Sequence, residues 1–429
     1  MKTDGVEKGF ILVAVLWLKV LLIAMVAISA RNSRLDMKVR AVRTEELRCR
    51  WAGRAGLEKA VGILNEDTKE SDSLLDLWSD NDEDFNDIPL EGCRFTVRVI
   101  DESSKLNVNV ATKAQLMELP DMIEEIADAI IDWRDKNDET SGLGVETGYY
   151  ETLTYGYKIR NGPFKTIREL LLVKDVTEDL FYGEDTNFNG QLDDNESDGD
   201  QSPPYDDGDT EMELGWIEYL TCYSYTTNVD GEGEQRVNIN RSSERELESS
   251  LGITRAQAKW IVDNRSYDSI GDLINSNSPE EPRESSGGSS SEPMNMQTFY
   301  EIADKITVSN RSKTAGKINI NTASAIVLAA LLGGDDMADQ LAEEIVAYRE
   351  AQLYGMESIA EAMKVSSMDV DTFKKIANDL TVRSDVYTIR SFATAERAGG
   401  DGLTVLTEAV VDRSQSPYET YYWYQGAVN

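Results

Sequence analysis

The first strong pattern along the chain is an unbroken apolar run from Phe10 to Ala30, interrupted only by Lys19 and small residues. At about 1.5 Å per residue, a helix of this length crosses the hydrocarbon core of a bilayer. Apolar or small residues then recur at helical spacing from Arg31 to about Leu64, without a proline. The pattern predicts a transmembrane helix over residues 10–30 that continues as an amphipathic helix over residues 31–65.

A different pattern, typical of strands, stands on either side of the central part of the chain. Residues 66–104 are predicted to hold an acidic loop and then a strand at Cys93–Asp101, where apolar and polar residues alternate. Residues 381–429 return to strand-like alternation. The strands predicted there are Val386–Phe392, Leu403–Val411 and Tyr418–Tyr424.

Three self-similar units lie between these strands. Each opens with Asn-x-Asn, at Asn107, Asn238 and Asn319, and each ends a helix with Ala-x-x-hydrophobic-hydrophobic-x-x-Arg. We interpret the Asn side chains and the Thr or Ser that follow them as helix N-caps. The predicted division is a first unit with an acidic loop at 105–212, a strand (Glu213–Ser224) with a second unit at 213–275, a flexible linker at 276–296 and a third unit at 297–380.

Composition narrows the classes of function. The chain has 79 acidic and 43 basic residues, a net charge of -36, so it repels nucleic acid phosphates. It has no histidine, which excludes histidine-based triads and histidine-ligated zinc sites. No nucleophile elbow or acid–base pair is recognisable, and we predict that the chain is not an enzyme. A disulfide is open to any pair of Cys49, Cys93 and Cys222.

The most specific chemical motif is a twelve-residue acidic loop that starts at Asp185. It places oxygen-bearing residues at the spacing of a calcium-binding loop, with Gly190 at the sixth position for the sharp turn. The alternative is a chance match within an acidic loop. We predict one structural Ca²⁺ here, with ligands from Asp185, Asn187, Asn189, Gln191 (by its carbonyl), Asp193 and Glu196.

A second group of acidic residues follows the loop directly. A second calcium ion is one interpretation of this group, and a solvated run of charge is the other. The residues concerned are Asp198, Asp200, Asp206, Asp207 and Asp209.

The start of the chain resembles the cleavage site of type IV prepilins and type II secretion pseudopilins. Glu7, Lys8 and Gly9 precede Phe10 and the long apolar helix. The resemblance implies a leader of residues 1–9, cut between Gly9 and Phe10 by a membrane-bound prepilin peptidase. Most members carry Glu at the fifth mature position, where this chain has Ala14. The K-type minor pseudopilin of the general secretion pathway typically lacks that Glu, so the departure narrows the resemblance to this class.

This resemblance implies an α+β pseudopilin fold. In that fold a long N-terminal transmembrane helix packs on an antiparallel sheet, and an inserted α-helical domain of SAM-like, helix-hairpin-helix units interrupts the sheet. It leaves open which of the three units is additional. Lys19, inside the apolar run, either snorkels to the interface or meets the fifth-position Glu of a neighbouring subunit.

The function implied is that of a non-catalytic minor pseudopilin at the tip of a type II secretion pseudopilus. Its partners would be other minor pseudopilins, in the inner membrane with the body in the periplasm, and not nucleic acid. The alternatives are a membrane-tethered helix-hairpin-helix receptor for DNA uptake and a minor pilin of a type IV pilus. The hairpins at Pro120-Asp121-Met122 and Gly252-Ile253-Thr254 lack the second Gly that DNA backbone binding requires, and the third, at Gly333-Gly334-Asp335-Asp336, is acidic.

Overall fold

The computed structural model describes residues 4–68, 70–199, 208–274, 278, 293–397 and 400–428, with side chains from Leu12 onward. The α-helices are α1 Asp4–Glu66, α2 Asp82–Phe85, α3 Lys113–Met117, α4 Glu124–Arg134, α5 Thr147–Thr152, α6 Glu178–Tyr182, α7 Glu244–Leu251, α8 Arg255–Asp263, α9 Met296–Ile302, α10 Ala325–Leu332, α11 Asp336–Glu350 and α12 Val370–Ile376. The strands are β1 Ile88–Leu90, β2 Cys93–Asp101, β3 Leu106–Asn107, β4 Leu220–Thr221, β5 Tyr225–Thr227, β6 Val237–Asn238, β7 Ile306–Thr307, β8 Lys313–Ala315, β9 Ile318–Asn319, β10 Leu380–Thr381, β11 Val386–Arg397, β12 Gly400–Asp412 and β13 Glu419–Val428. Short 3-10 helices lie at Glu102–Ser104, Ile167–Leu172, Asp194–Glu196, Trp216–Glu218, Ile270–Leu273, Ala303–Lys305 and Ile359–Lys364.

Helix α1 is one continuous helix of 63 residues, so the two predicted helical segments join without a break. Its C-terminal third buries Leu57 and Leu64 against the sheet. Two glycines bring the helix backbone close to the strands. A Cβ added at Gly53 would lie 2.5 Å from Thr407 Oγ1, and one at Gly56 would lie 2.4 Å from Ser391 Oγ. Any larger side chain at these positions must push the helix off the sheet.

The sheet on which α1 packs has five antiparallel strands in the order β1-β2-β11-β12-β13. The predicted strands are all present, and the three C-terminal ones extend beyond their predicted ends. The prediction stopped at Phe392 because the small and polar residues after it carry little apolar pattern, whereas hydrogen bonding to both neighbours extends β11 to Arg397. The predicted arrangement of a long N-terminal helix on an antiparallel sheet is confirmed.

Each of the three Asn-x-Asn units is closed by a pair of two-residue parallel strands. Strand β3 pairs with β4, β6 with β7, and β9 with β10. The second unit therefore extends from Val237 to Thr307, and α9 lies within it. The predicted division had placed α9 and β7 in the third unit, because the linker composition of residues 276–296 looked like a boundary.

The asparagines hold each unit together, and they are not N-caps as predicted. The first Asn accepts a hydrogen bond from the backbone N–H of the second at 2.9–3.1 Å. The second Asn makes two hydrogen bonds with the backbone of one residue, Phe164, Tyr267 or Met356, that stands three positions before a 3-10 helix. The N-caps are the hydroxyl side chains of Thr112, Ser243 and Ser324.

The arginine that ends each motif also has one repeated role. In all three units its guanidinium donates to two backbone carbonyls of the Asn-x-Asn turn. Arg349, for example, is buried and reaches the carbonyl of Ile320 at 2.8 Å and that of Ala323 at 2.6 Å. The shared contacts show that the sequence repeat is a structural repeat.

The predicted strand over Glu213–Ser224 is wrong for most of its length. A 3-10 helix occupies Trp216–Glu218, and only Leu220–Thr221 form a strand. Trp216 is buried, and its indole N–H donates to the carbonyl of Pro120 at 2.8 Å. The apolar residues that suggested a strand are the buried closing segment of the first unit.

Candidate functional site

The acidic loop begins directly after α6 and ends in the 3-10 helix at Asp194–Glu196. An isolated antiparallel bridge between Gly183 and Leu214 holds the base of the loop. The N–H of Glu184 also donates to the carbonyl of Glu213 at 3.0 Å. The loop therefore leaves from a fixed point of the first unit.

Side-chain oxygens wind the loop into successive turns. Asp185 Oδ2 accepts from the N–H of Gly190 at 2.7 Å, and Asn187 Oδ1 accepts from the N–H of Asn189 at 2.8 Å. Asn189 Oδ1 accepts from the N–H of Gln191 at 2.7 Å. Gly190 has a φ of +60°, which permits the sharp turn that its position requires. Each of these oxygens retains a second lone pair for another partner.

Two carboxylate oxygens at the ends of the loop are buried and have no hydrogen-bond partner: Asp185 Oδ1 and Glu196 Oε1. Burial raises the pKa of both carboxyls, and for Glu196 the negative charges of Asp185 and Asp193 add to the effect. Unpaired buried carboxylates are costly unless a cation or a proton compensates them. The donor set consists of hard oxygens, as Ca²⁺ requires.

The loop is also tied to the sheet. The ring of Phe188 lies 4.3 Å from the guanidinium of Arg390, which is buried between Glu218 and Glu408 at 2.9 Å and 2.8 Å. Arg98 on β2 donates to the carbonyl of Asn189. A change in the loop therefore reaches the strands through Phe188 and Arg98.

Of the six predicted calcium ligands, five are linked in this loop by their side chains. Asp193 Oδ2 accepts from the amides of Asn187 and Asn189 at 2.8 Å each, and the N–H of Asp193 donates to Glu196 Oε2 at 3.1 Å. Gln191 contributes its backbone, and its side chain is exposed. The bound ion itself stays a prediction.

The predicted second calcium group is only partly described. Asp198 and Asp209 belong to the described residues, and Asp209 Oδ1 accepts from the N–H of Glu211 at 2.7 Å. Asp200, Asp206 and Asp207 lie outside the described residues. The second ion therefore also stays a prediction.

The N-terminal half of α1 carries large apolar side chains that contact nothing else in the described chain. Leu12, Trp17 and Ile23 are 71%, 68% and 69% exposed. By length and composition this is the one helix of the described residues that is able to cross a membrane. Gly9 and Phe10 lie in the helical backbone of α1, but their side chains are outside the described set.

The hairpins of the units are poor phosphate sites. In the first, Asp121 occupies the turn with a φ of +56°. In the third, the carboxylate of Glu118 lies against Gly334, so close that a Cβ there would clash with it. A negative charge therefore stands where a DNA phosphate would have to approach the bare amides.

Comparison with known proteins gives matches in two separate parts of the chain. Two models described as type II secretion system (T2SS), protein K, match residues 94–182 and residues 318–383. The first matched segment runs from β2 to α6, and the second spans the third unit. The second unit lies between the two segments.

Two individual proteins are also similar. The GspK-GspI-GspJ complex from the type 2 secretion system of enterotoxigenic Escherichia coli contains a chain that is 13% identical. The match covers 92% of this chain and 99% of that one, with a TM-score of 0.47. Endonuclease/exonuclease/phosphatase family domain-containing protein 1 of Xenopus laevis is 30% identical over 181 residues, which are 39% of this chain and 30% of that protein. The chain thus spans under a third of that relative.

The family matches fall on the segment that contains the first strand of the sheet and on a unit inserted into that sheet, in the order that the pseudopilin resemblance implies. The fold, with its exposed apolar helix packed on an antiparallel sheet, agrees with them. The chain belongs to the type II secretion system protein K family.

Proposed function

We propose that this chain is a minor pseudopilin that serves as a structural, non-catalytic subunit at the tip of the pseudopilus. The observation that supports this best is the division of α1. Its N-terminal half presents exposed apolar residues, and its C-terminal third is buried on the sheet. One helix therefore joins a membrane anchor to a folded body. The anchor lies in the inner membrane and the body in the periplasm.

The stretch of α1 between anchor and sheet supports partner subunits. Leu35, Met37, Leu47 and Trp51 are 51–67% exposed although they lie beyond the predicted membrane segment. A row of large apolar side chains in water indicates a surface that another protein covers. The helices of other minor pseudopilins are the partners proposed for it.

Two features support the tip position. The helical units stand between β2 and β11, which adds a large helical body to the end of the sheet that a simple pilin-like fold lacks. The fifth residue after the proposed cleavage site is Ala14, so this subunit does not offer the usual pairing carboxylate. Cleavage between Gly9 and Phe10 by the prepilin peptidase would produce the mature N-terminus. We take the three units to be SAM-like, helix-hairpin-helix modules that act in protein contact.

We also propose that the loop from Asp185 to Glu196 holds a structural Ca²⁺. The two buried, unpartnered oxygens at its first and twelfth positions support this. An ion there would neutralise the loop that Phe188 and Arg98 tie to the sheet. Its role would be to fix the helical units against the sheet.

A DNA receptor and a type IV minor pilin are not favoured by the family matches. For the DNA receptor, the net charge of -36 and the carboxylate of Glu118 beside the third hairpin also count against phosphate binding. A gel-shift at low salt with duplex DNA gives a direct check, and we expect no retention.

The test of the proposal uses a host that carries its type II secretion genes but lacks the gene for this chain. We expect the wild type to restore export of a type II substrate and to yield a mature chain whose mass begins at Phe10. Trp51→Ala should weaken export and cross-linking to the other minor pseudopilins. The matched control is Leu353→Ala, since Leu353 is 76% exposed but lies far along the chain from α1. Normal export without this chain, or a mature chain that retains residues 1–9, would overturn the proposal.

A further inference from the structure

A second group of acidic side chains, separate in sequence from the calcium loop, meets at the end of α4. Asp132 lies in the last turn of α4, Asp135 caps that helix, and Glu146 precedes α5. One carboxylate oxygen from each of the three lies within 4.8 Å of the others. The intervening loop folds back to bring Glu146 to the helix end.

Two of these carboxylates are buried without sufficient partners. Asp132 is 0% exposed; its Oδ1 accepts from the N–H of Ser141 at 2.8 Å, but its Oδ2 has no partner. Glu146 is 8% exposed, and neither of its carboxylate oxygens has a partner. Leaving such oxygens unpaired costs several kcal/mol for a charged group, by the order of magnitude of burial penalties (~2–7 kcal/mol). Something must therefore share this space.

No side chain of the described residues supplies the missing positive charge. Arg134, the neighbour of Asp135, turns its guanidinium to the carbonyls of Val108 and Ala111. Lys113 pairs with Glu124 and Asp128. The other acidic group of this kind, at residues 67–76, differs in this respect, because there the guanidinium of Arg413 pairs with Asp67 and Asp72.

The loop backbone is shaped around these carboxylates. A Cβ at Gly144 would lie 2.2 Å from Asp132 Oδ2, so only glycine allows the loop to pass this oxygen. Asn137 donates to both oxygens of Asp135, from its backbone at 3.1 Å and from its amide at 2.7 Å. Asp135, Asn137, Glu139 and Glu146 also occupy the first, third, fifth and twelfth places of a twelve-residue frame, as in the loop that starts at Asp185. The group is thus a built oxygen cage with three negative charges.

We propose that Asp132, Asp135 and Glu146 bind a divalent cation of the Ca²⁺ class. Hard carboxylate oxygens from a flexible loop are the ligands that this ion prefers, and backbone carbonyls and water complete its six to eight positions. The ion clamps the end of α4 to the start of α5 and so fixes the first unit. The site does not depend on the Asp185 loop or on the proposed role in secretion.

The test uses the purified full chain in detergent with the Asp185 loop disabled by Asp185→Asn and Glu196→Gln. We expect this chain to bind one Ca²⁺ by calorimetry, and Glu146→Gln or Asp132→Asn in the same background to weaken that binding by about tenfold or more. Glu151→Gln, an exposed acidic position in α5, is the matched control and should leave binding unchanged.

A melt separates a lost site from a lost fold. In chelator, Glu146→Gln should melt at the same temperature as its background or higher, because the substitution relieves repulsion among unpaired carboxylates. Added CaCl₂ should then raise the melting temperature of the background but not of the variant. A loop-disabled chain that binds no Ca²⁺, or one whose binding is unchanged by both substitutions, overturns the proposal.

Discussion

The Sγ atoms of Cys49 and Cys93 lie 3.6 Å apart inside the core between α1 and the sheet. Both side chains are buried, whereas Cys222 is half-buried in the first unit. Burial, with the neighbouring Cys93 thiol, raises the pKa of the Cys49 thiol to about 12. The folded pair is therefore slow to react, so a bond between them should form while the chain is still folding.

We predict that Cys49 and Cys93 form a disulfide when the body folds in the oxidising periplasm proposed above, with a thiol–disulfide oxidant accepting the two electrons. Under denaturing conditions without reductant, alkylation should then label one cysteine, Cys222. Cys49→Ser should lower the free energy of unfolding by about 3–4 kcal/mol, the order expected for a closed loop of this length.

Cys222→Ser serves as the control and should leave both the bond and its contribution to stability intact. Alkylation of three cysteines in protein taken from the periplasm would contradict the pairing.

Gly56 and Gly62 of α1 should respond in opposite directions to the same substitution. Gly56→Ala places a methyl group 2.4 Å from Ser391 Oγ and 2.8 Å from the ring of Phe95, which should cost about 1–3 kcal/mol. Gly62 has nothing within 4 Å, so Gly62→Ala should stabilise the helix by about 0.5–1 kcal/mol. Thermal melts of the two variants measure the difference. Equal shifts would mean that α1 does not approach the sheet as closely as the structure shows.

The pair of Glu218 and Arg390 should make stability depend on acid pH. Burial alone would raise the pKa of Glu218, but the charges of Lys105 and Arg390 outweigh it and hold the pKa at about 2, against an ordinary 4.5. Because the folded pKa is the lower one, the stabilisation is present above about pH 4.5 and is lost as the pH falls towards 2. At about 1.4 kcal/mol per pKa unit, it amounts to roughly 3 kcal/mol.

Glu218→Gln should therefore be destabilised by up to that amount at pH 7, and its difference from the wild type should shrink between pH 4.5 and pH 2. Denaturant unfolding over this range gives the measurement. Glu248→Gln, at an exposed position of α7, should show no such convergence. A Glu218→Gln deficit that is constant with pH would indicate a steric effect and not an ion pair.

Calcium binding to the Asp185 loop should be visible as a change in melting temperature. We expect excess chelator to lower the melting temperature of the wild type, since the carboxylates then repel one another without an ion. Glu196→Gln should show a smaller rise on addition of CaCl₂, because it removes the twelfth-position ligand. Asp194→Asn, at an exposed position of the same loop, should behave like the wild type. An unchanged wild-type melt in chelator would count against the ion.

The long helix and the sheet could be predicted because their apolar patterns are long and regular. The contacts inside the units could not, since Arg349 reaches the carbonyls of Ile320 and Ala323 only after the unit has folded. The repeated spacing of Asn and Arg was the available signal, and it was read as helix capping. The strand predicted over Glu213–Ser224 failed because a buried 3-10 helix and a half-buried strand carry similar apolar residues.

The acidic group at Asp132, Asp135 and Glu146 was also missed from sequence. Its twelve-residue frame has Thr140 where the sharp turn of a calcium loop usually needs glycine, so the motif is incomplete. Asp132 stands outside that frame, on the preceding helix, and only the fold brings it to Glu146. The Asp185 loop was recognised because Gly190 and five oxygen-bearing side chains follow one another in order.

Strands β2 and β11 are neighbours in the sheet, and their hydrogen bonds pair Asp101 with Tyr387. All three units lie between these two residues in the chain, and each unit closes on itself through its own parallel strands. During synthesis and export, each unit is therefore able to fold as soon as its closing strand emerges. The sheet has to wait for the final residues, so α1 stays without its partner surface until the whole chain has crossed the membrane. A chain truncated before β11 should keep folded units but expose the apolar face of α1, which makes completion of the sheet a checkpoint for release of the finished subunit.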